Sequence, residues 1–411
     1  MNILYIPATF PNPTEGSNIY TDLAEQLKEN GHKVIVLVAE EKKKNSETKF
    51  YDERGIKVLR VKSGNLYNVN VIEKAISFIT LQSTLKRAIK SYLSNEKFDL
   101  ILFMAPPVTM CSVVKYAMKK FNAKSYLMQK DIFPQNAIDL KMLNKLNPAY
   151  WYFRIKEKNM YKTATRIGCM SKGNIDYLIN HNKFLKSDKL ELFPNTIKVK
   201  ESIEKRDERQ NLKEKFRIDK NKVLAIYGGN FGKPQGIEFL IKVLKEYKDD
   251  NRIYFILLGK GTESQKIHDF IKENNIKNSI IKEYIPRNEY EEILKEVDIG
   301  LVFLDYRFTI PNIPSRTLSY FEYEIPIMTV TDKKKDYKDF IENETKSGLW
   351  AESNGIDAYK EKLNYLIENK DKRIELGKNG REYLEKNLTT EISVKILENS
   401  YKEMKGEKEN V

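Results

Sequence analysis

The sequence has little of what metal centres, disulfide scaffolds and membrane spans are made from. Its 411 residues hold two cysteines, Cys111 and Cys169. Both stand in apolar surroundings, too few for a disulfide framework, and read as reduced packing residues. Its three histidines, His32, His181 and His268, are far apart in the chain. No acidic metal motif accompanies them, so no metal and no other cofactor is expected. No run approaches the ~18 apolar residues of a membrane-spanning helix. Met1–Phe10 lacks the basic start and apolar core of a signal peptide and reads directly as a strand. These absences predict a cytoplasmic chain.

What is present is a large, basic α/β sequence. Hydrophobic residues make up 41% of it, enough for real cores, and its length suits two ordinary domains. Lys and Arg number 72 against 58 Asp and Glu, a net charge of +14. That excess favours phosphate-rich partners such as nucleic acid, anionic lipid or a diphosphate. The basic residues are dispersed and no nucleic-acid-binding module is found, so nucleic acid is not expected as a partner. The lysine clusters Glu41–Lys44 and Lys333–Lys335 read as solvated loops.

Short β-branched runs alternate with segments of helical period, the pattern of parallel α/β architecture. The first series is Ile3–Ile6, Val34–Val38, Val58–Val61, Leu100–Met104, Ser125–Met128 and Ile167–Met170. The second is Val223–Tyr227, Ile253–Leu258, Ile280–Ile285, Ile299–Leu304 and Pro326–Val330. Between them Lys198–Lys215 is charged and nearly free of large apolar residues. The prediction is a doubly wound, Rossmann-like domain built twice: residues 1–197, a connection at 198–216, and residues 217–387. Lys360–Asn387 and Thr390–Glu403 read as helices.

Three segments lie where parallel sheets bind ligands, between a strand's carboxyl end and the next helix. Pro11–Ser17 carries Gly16 before the helical stretch Asn18–Glu29. Gly228-Gly229-Asn230-Phe231-Gly232-Lys233-Pro234-Gln235-Gly236 exposes backbone amides and adds a cation, a setting suited to a diphosphate. Asp305–Arg316 ends in Pro314, Ser315 and Arg316; the Ser315 and Arg316 side chains offer charge-assisted hydrogen bonds to phosphate.

These segments, with Lys130-Asp131-Ile132-Phe133-Pro134-Gln135-Asn136, Ser171–Asn174, Phe193-Pro194-Asn195, Leu258-Gly259-x-Gly261 and Pro326, resemble family 4 glycosyltransferases. The likeness is to the branch that builds bacterial capsule and O-antigen polysaccharide with amino sugars. The resemblance implies the GT-B fold, two Rossmann-like domains facing across a cleft, with the final helix (about 388–405) packed back on the first domain. It implies a UDP-linked amino-sugar donor, a lipid-linked glycan acceptor, retention of configuration and no metal requirement. Lys233 and Arg316 are expected to act on the leaving diphosphate, and Lys130 and Asp131 to contact acceptor or sugar. Donor contacts are expected from Gly16, Gly229, Asn230, Gly232, Gln235, Pro286, Arg287, Pro314, Ser315 and Ser319.

The sequence departs from the family where two glutamates are usual, for Pro311 and Ser319 occupy those positions. Glu322 reads as a surface helix residue, with a role as substitute carboxylate the alternative, and Glu324 replaces a usual glycine. Two rival readings follow, a non-catalytic partner of another transferase and a nucleotide-sugar 2-epimerase. The segment Ala149–Lys162 mixes Trp151, Phe153 and three tyrosines with four basic residues. It reads either as a docking face for an anionic membrane or as a helix packing its aromatics inward.

Overall fold

The structure, a computed structural model, describes residues 1–44, 47–65, 71–201, 211–283, 285–332, 335–353 and 355–406. The chain divides into two units, Met1–Lys198 with Thr390–Val411, and Val199–Thr389.

In the first unit the strands are β1 (Asn2–Ile6), β2 (Lys33–Glu41), β3 (Lys49–Glu53), β4 (Ile56–Ser63), β5 (Leu100–Ala105), β6 (Lys124–Gln129), β7 (Arg166–Cys169) and β8 (Leu190–Leu192). They form one sheet in the order β3-β4-β2-β1-β5-β6-β7-β8. Among the described residues only the β3–β4 pair is antiparallel. Central strands are buried on both faces, which is why Ile3–Ile6 and Leu100–Met104 are unbroken apolar runs. Strand β3 (KFYDE) escapes such a reading because an edge strand keeps charged, exposed positions. The three-residue β8 is too short to carry a pattern.

The closing helix Thr390–Lys405 belongs to this first unit. Its Thr390 amide donates to Ile197 O at 3.1 Å and its Thr390 hydroxyl to Gln26 at 3.0 Å. Val394 and Leu397 share a core with Leu23 and Leu27 of the helix Ile19–Glu29.

In the second unit β9 (Val223–Gly228), β10 (Ile253–Leu258), β11 (Ser279–Lys282), β12 (Ile299–Phe303), β13 (Ile327–Thr331) and β14 (Gly348–Glu352) follow. They form an all-parallel sheet in the order β11-β10-β9-β12-β13-β14. The sequence reading missed β14, whose GLWAE is half exposed at the sheet edge. It also carried β11 past Lys282 to 285; Tyr284 lies outside the described residues. Most of the charged connection, 202–210, lies outside them too, and Asn211–Lys215 is helical.

The predicted helix Lys360–Asn387 is instead two helices, Ile356–Glu368 and Lys370–Asn387. Arg373 causes the break to hold: its Nη1 donates to the terminal carbonyls of Leu366 and Ile367 at 2.6 and 2.9 Å. In the second unit Ile237, Leu240, Val243, Phe255, Phe303 and Tyr359 meet in one core. Each such burial contributes about 1.5–3 kcal/mol.

Candidate functional site

In the second sheet the connections reverse direction between β9 and β12, the place where open α/β sheets form a ligand crevice beyond their strand ends. Two loops flank that point. One follows β9 and contains Gly229–Gly232; the other follows β12 and ends at Arg316.

Arg316 opens the short helix Arg316–Glu322 and turns back to the glycine loop. Its guanidinium lies 4.4 Å from the centre of the Tyr227 ring. Its Nη2 donates to Gln235 Oε1, while Nη1 is buried with no hydrogen-bond partner. No carboxylate pairs with it among the described residues. A Cβ on Gly229, whose φ is +148°, would stand 2.8 Å from Nη2. A side chain at that φ is strained, and its Cβ would also have to push the guanidinium aside. Behind this layer, the Tyr320 hydroxyl accepts from the Gly228 amide at 3.3 Å. Tyr290 packs against Gly228 so closely that a Cβ there would lie 2.6 Å from its hydroxyl.

The glycine loop offers fewer amides than the sequence implies. The Gly229 amide donates to Leu258 O at 2.8 Å and the Phe231 amide to Lys260 O at 3.2 Å. Gly259 and Gly261 allow this, since a Cβ on either would collide with the Gly229 or Phe231 carbonyl. Among the described residues the Asn230 and Gly232 amides make no such bonds. Asn230 itself is exposed, and its carbonyl is held by the Tyr227 hydroxyl at 2.8 Å. Lys233 is exposed at the start of the turn Lys233–Gln235.

Other predicted donor contacts take individual places. Ser315 is exposed and Ser319 half-buried on the next turn of the helix, with Pro314 O accepting from the Thr317 amide at 3.1 Å. Pro286 caps the helix Arg287–Leu294, and Arg287 Nε lies 2.8 Å from Glu291 on that same helix.

Glu322 is a correction to the sequence reading. It is not a surface residue but 4% exposed, and its carboxylate accepts from the Lys200 amide at 3.1 Å. Burial raises its pKa, opposed by that amide and the Lys200 charge. It anchors the chain's entry into this unit and does not replace Ser319. Glu324 has φ +51° just after the helix end, the backbone state that ordinarily selects glycine.

In the first unit Lys130 and Asp131 follow β6, and both amides donate to Ala105 O, at 3.1 and 3.3 Å. Lys130 Nζ lies 5.4 Å from the Phe193 ring centre, and burial pushes its pKa down to about 7. Burial pushes Asp131 up to about 6, opposed by the Asn136 amide, which donates to it at 2.9 Å, and by the Ile132 backbone. Tyr20 is raised to about 12 by burial and by Asp131. Asp131 therefore faces the helix Ile19–Glu29, while Lys130 faces Phe193. Gly16, φ +98°, follows the turn Pro13–Glu15 in the loop after β1.

Trp151 and Phe153 part company. On the helix Pro148–Thr163, Trp151, Tyr152 and Ile155 are 58%, 45% and 56% exposed. Phe153 packs edge-on against Phe133 at 5.0 Å, and Tyr161 is buried. Met142 and Leu146, in the preceding loop, are also exposed.

His32 bonds Glu398 at 2.8 Å and His181 stacks on Tyr177 at 3.9 Å. His268 lies in the helix Ser264–Glu273. None sits at a strand's carboxyl end. Both cysteines are free and buried. Among the described residues no three His, Cys, Asp or Glu side chains gather as a metal ion would need, and no helix is long and apolar enough to cross a membrane.

The fold is that of the GT-B glycosyltransferases, two α/β domains with parallel Rossmann-like cores. Sucrose-phosphate synthase from Thermosynechococcus elongatus superposes with a TM-score of 0.76 at 13% identity, over 99% of this chain and 100% of that one. HepE from Anabaena, solved with UDP-glucose, gives 0.69 at 13% identity, over 98% and 100%.

Within this fold, residues 208–383 match the family described as Glycosyl transferases group 1, so the second unit carries a domain of that group. An uncharacterized glycosyltransferase of Methanocaldococcus jannaschii, MJ1178, is 22% identical over 321 residues, 72% of this chain and 83% of that protein.

Proposed function

We propose that the chain transfers an amino sugar from a UDP-linked donor to a lipid-linked glycan, with retention of configuration and without a metal ion. The observation that carries this is Arg316, half-buried, with its Nη1 fully buried and orphaned and no acidic partner among the described residues. A permanent buried cation left unpaired is costly, and an arriving phosphate relieves that cost with charge-assisted bonds. The UDP-glucose complex of HepE, in the same fold, supports UDP as the nucleotide.

In the reaction the bond between the anomeric carbon and the diphosphate oxygen breaks, and negative charge grows on the leaving phosphate. Arg316, the Asn230 and Gly232 amides and the Lys233 side chain are the groups for that charge. The acceptor hydroxyl attacks from the same face and its proton passes to the leaving phosphate. Lys130 and Asp131 are assigned to the acceptor, where their desolvation gives hydrogen bonds unusual strength.

Calorimetry of the purified chain with UDP, GDP and UDP-sugars, without and with divalent metal, tests this. Saturable, metal-independent UDP binding is expected. Folded protein that binds no nucleotide would overturn the reading. A second reading, a non-catalytic partner subunit, is favoured by the tie between Glu322 and Lys200, which leaves Ser319 without a carboxylate substitute. UDP binding with no turnover, by the purified chain given lipid-linked acceptor, would select it.

The exposed Trp151, Tyr152 and Ile155, near Lys145, Lys156 and Lys158, support docking at an anionic membrane on its cytoplasmic side. Flotation with anionic liposomes should fall several-fold for Trp151→Glu with Ile155→Glu, because membrane partition scales with the apolar area that enters the headgroup boundary. Equal flotation would exclude this face.

A further inference from the structure

The loop after β1, Pro7–Ser17, is held by its carbonyl groups from one side. Arg54 Nη1 donates to Pro11 O at 3.0 Å, and Nη2 donates to Gly16 O. The same side chain thus brackets both ends of the turn Pro13–Glu15, while its Nε lies 3.0 Å from Glu25. Arg60 Nη2 donates to Phe10 O at 3.0 Å. Its Nε and Nη2 each lie 2.7 Å from a Glu53 oxygen, and Glu40 stands 3.6 Å from Nη1. From the other side Lys44 Nζ reaches Glu15 at 2.9 Å, and Glu15 accepts from the Asn12 amide at 3.1 Å.

Two features set these arginines apart from ordinary surface cations. Arg60, Glu53 and Glu40 are 4%, 6% and 6% exposed, so the charge cluster is desolvated, and clusters of that kind contribute little net stability. Arg54 stands with Gly55 in the two-residue turn between β3 and β4, at φ +54° and +64°. Such turns ordinarily take Asn, Asp or Gly. An arginine in the left-handed region is uncommon in such a turn.

We propose that Arg54 and Arg60 are positioning residues for sugar transfer, clasping the Phe10, Pro11 and Gly16 carbonyls so that the Gly16 loop keeps one form. The proposal rests on the glycosyltransferase reading above. Because a trans peptide is planar, fixing the Gly16 carbonyl also fixes the Ser17 N–H on the opposite side. The antiparallel strand β3 ends beside the starts of β4 and β2, and it thereby acquires a task. It carries the arginine to a loop distant in sequence.

The test uses the full chain with Arg54→Ala and Arg54→Lys, since Arg60→Ala would strand two buried carboxylates. UDP affinity, UDP release from UDP-N-acetylglucosamine and amide exchange over residues 10–18 are measured together. Both variants are expected to bind UDP within about twofold of wild type and to lose about tenfold or more in kcat, as misplaced active-site groups do. Amide exchange should quicken in the loop and not in β1. Lysine should fail to rescue, because a single ammonium cannot bracket two carbonyls. Wild-type kcat in Arg54→Ala, or full rescue by lysine, would overturn the proposal alone. Wild-type protein that neither binds UDP nor turns over the sugar nucleotide would sink the glycosyltransferase reading and the clasp with it.

Discussion

The two sheets place different kinds of charge at their carboxyl edges. In the second unit Arg316 is pressed between the Tyr227 ring and Gly229 and keeps its charge at every working pH. In the first, Lys130 and Asp131 are desolvated groups brought to about 7 and about 6. A site for a diphosphate, always charged, is best served by a cation that cannot be switched off. A site for hydroxyl groups tolerates ones that can. On the proposed assignment, Arg316 contributes no pH dependence to donor affinity near neutrality, and the protein's own pH response lies in the first unit.

The sharpest break of that comparison is Arg316→Ala. It should weaken UDP binding about 10- to 100-fold, the worth of one charge-assisted phosphate contact. Calorimetry on Asp131→Asn beside it should show no change. Equal losses in both would mean that the two edges do not differ as described.

Next in size is Gly229→Ala, whose methyl would stand 2.8 Å from Arg316 Nη2. Displacing that side chain should weaken UDP about tenfold, of the order of one hydrogen bond to a charged group. Gly355→Ala, with nothing within 4 Å of its Cβ, is the control and should bind as wild type.

Lys130→Met sharpens the other half. Burial lowers this lysine from 10.5 to about 7, so its charge burdens the folded state. The burden is full below pH 7 and fades between pH 7 and 10.5 as the folded form gives up its proton. The variant should therefore melt higher at pH 6, by roughly 2–4 °C, with the gain gone near pH 10.5. A gain that grows with pH would refute the assignment.

Asp131→Asn should show the smaller and opposite dependence. Its folded pKa is raised from 3.8 to about 6, so the ionised carboxylate is what burial penalises. No gain is expected near pH 3.8, and one of roughly 1–2 °C should be complete above pH 6. Melting curves at pH 4 and pH 7 decide it.

Much of the architecture was legible in order of strands, because buried parallel strands must be continuous runs such as Leu100–Met104 and Ile253–Leu258. The edge strands β3 and β14 were not, since KFYDE and GLWAE lack the burial that makes a pattern, while β11, also at an edge, showed through its paired isoleucines. Glu322 reads as an exposed helix residue because a carboxylate ordinarily stays in solvent, even beside the buried Tyr320, Phe321 and Tyr323. The chain's re-entry at Lys200 supplies the partner for its carboxylate. The tyrosines behind Arg316 were invisible for a simpler reason. With 24 tyrosines spread along the chain, Tyr227, Tyr290 and Tyr320 carry no distinguishing local signal.

Residue order alone thus determined that two parallel α/β units form, because alternation of apolar runs and helical periods is a local property. It also determined that glycines and Arg316 follow β9 and β12. Tertiary structure decided what those segments offer. The β9–β10 register commits the Gly229 and Phe231 amides to Leu258 and Lys260 and leaves those of Asn230 and Gly232. The reversal between β9 and β12 brings Arg316 onto Gly229 across 87 residues of chain (316 less 229). Hydrogen-bond partners and desolvation depend on what packs beside a residue in space, and no local stretch of sequence contains that information.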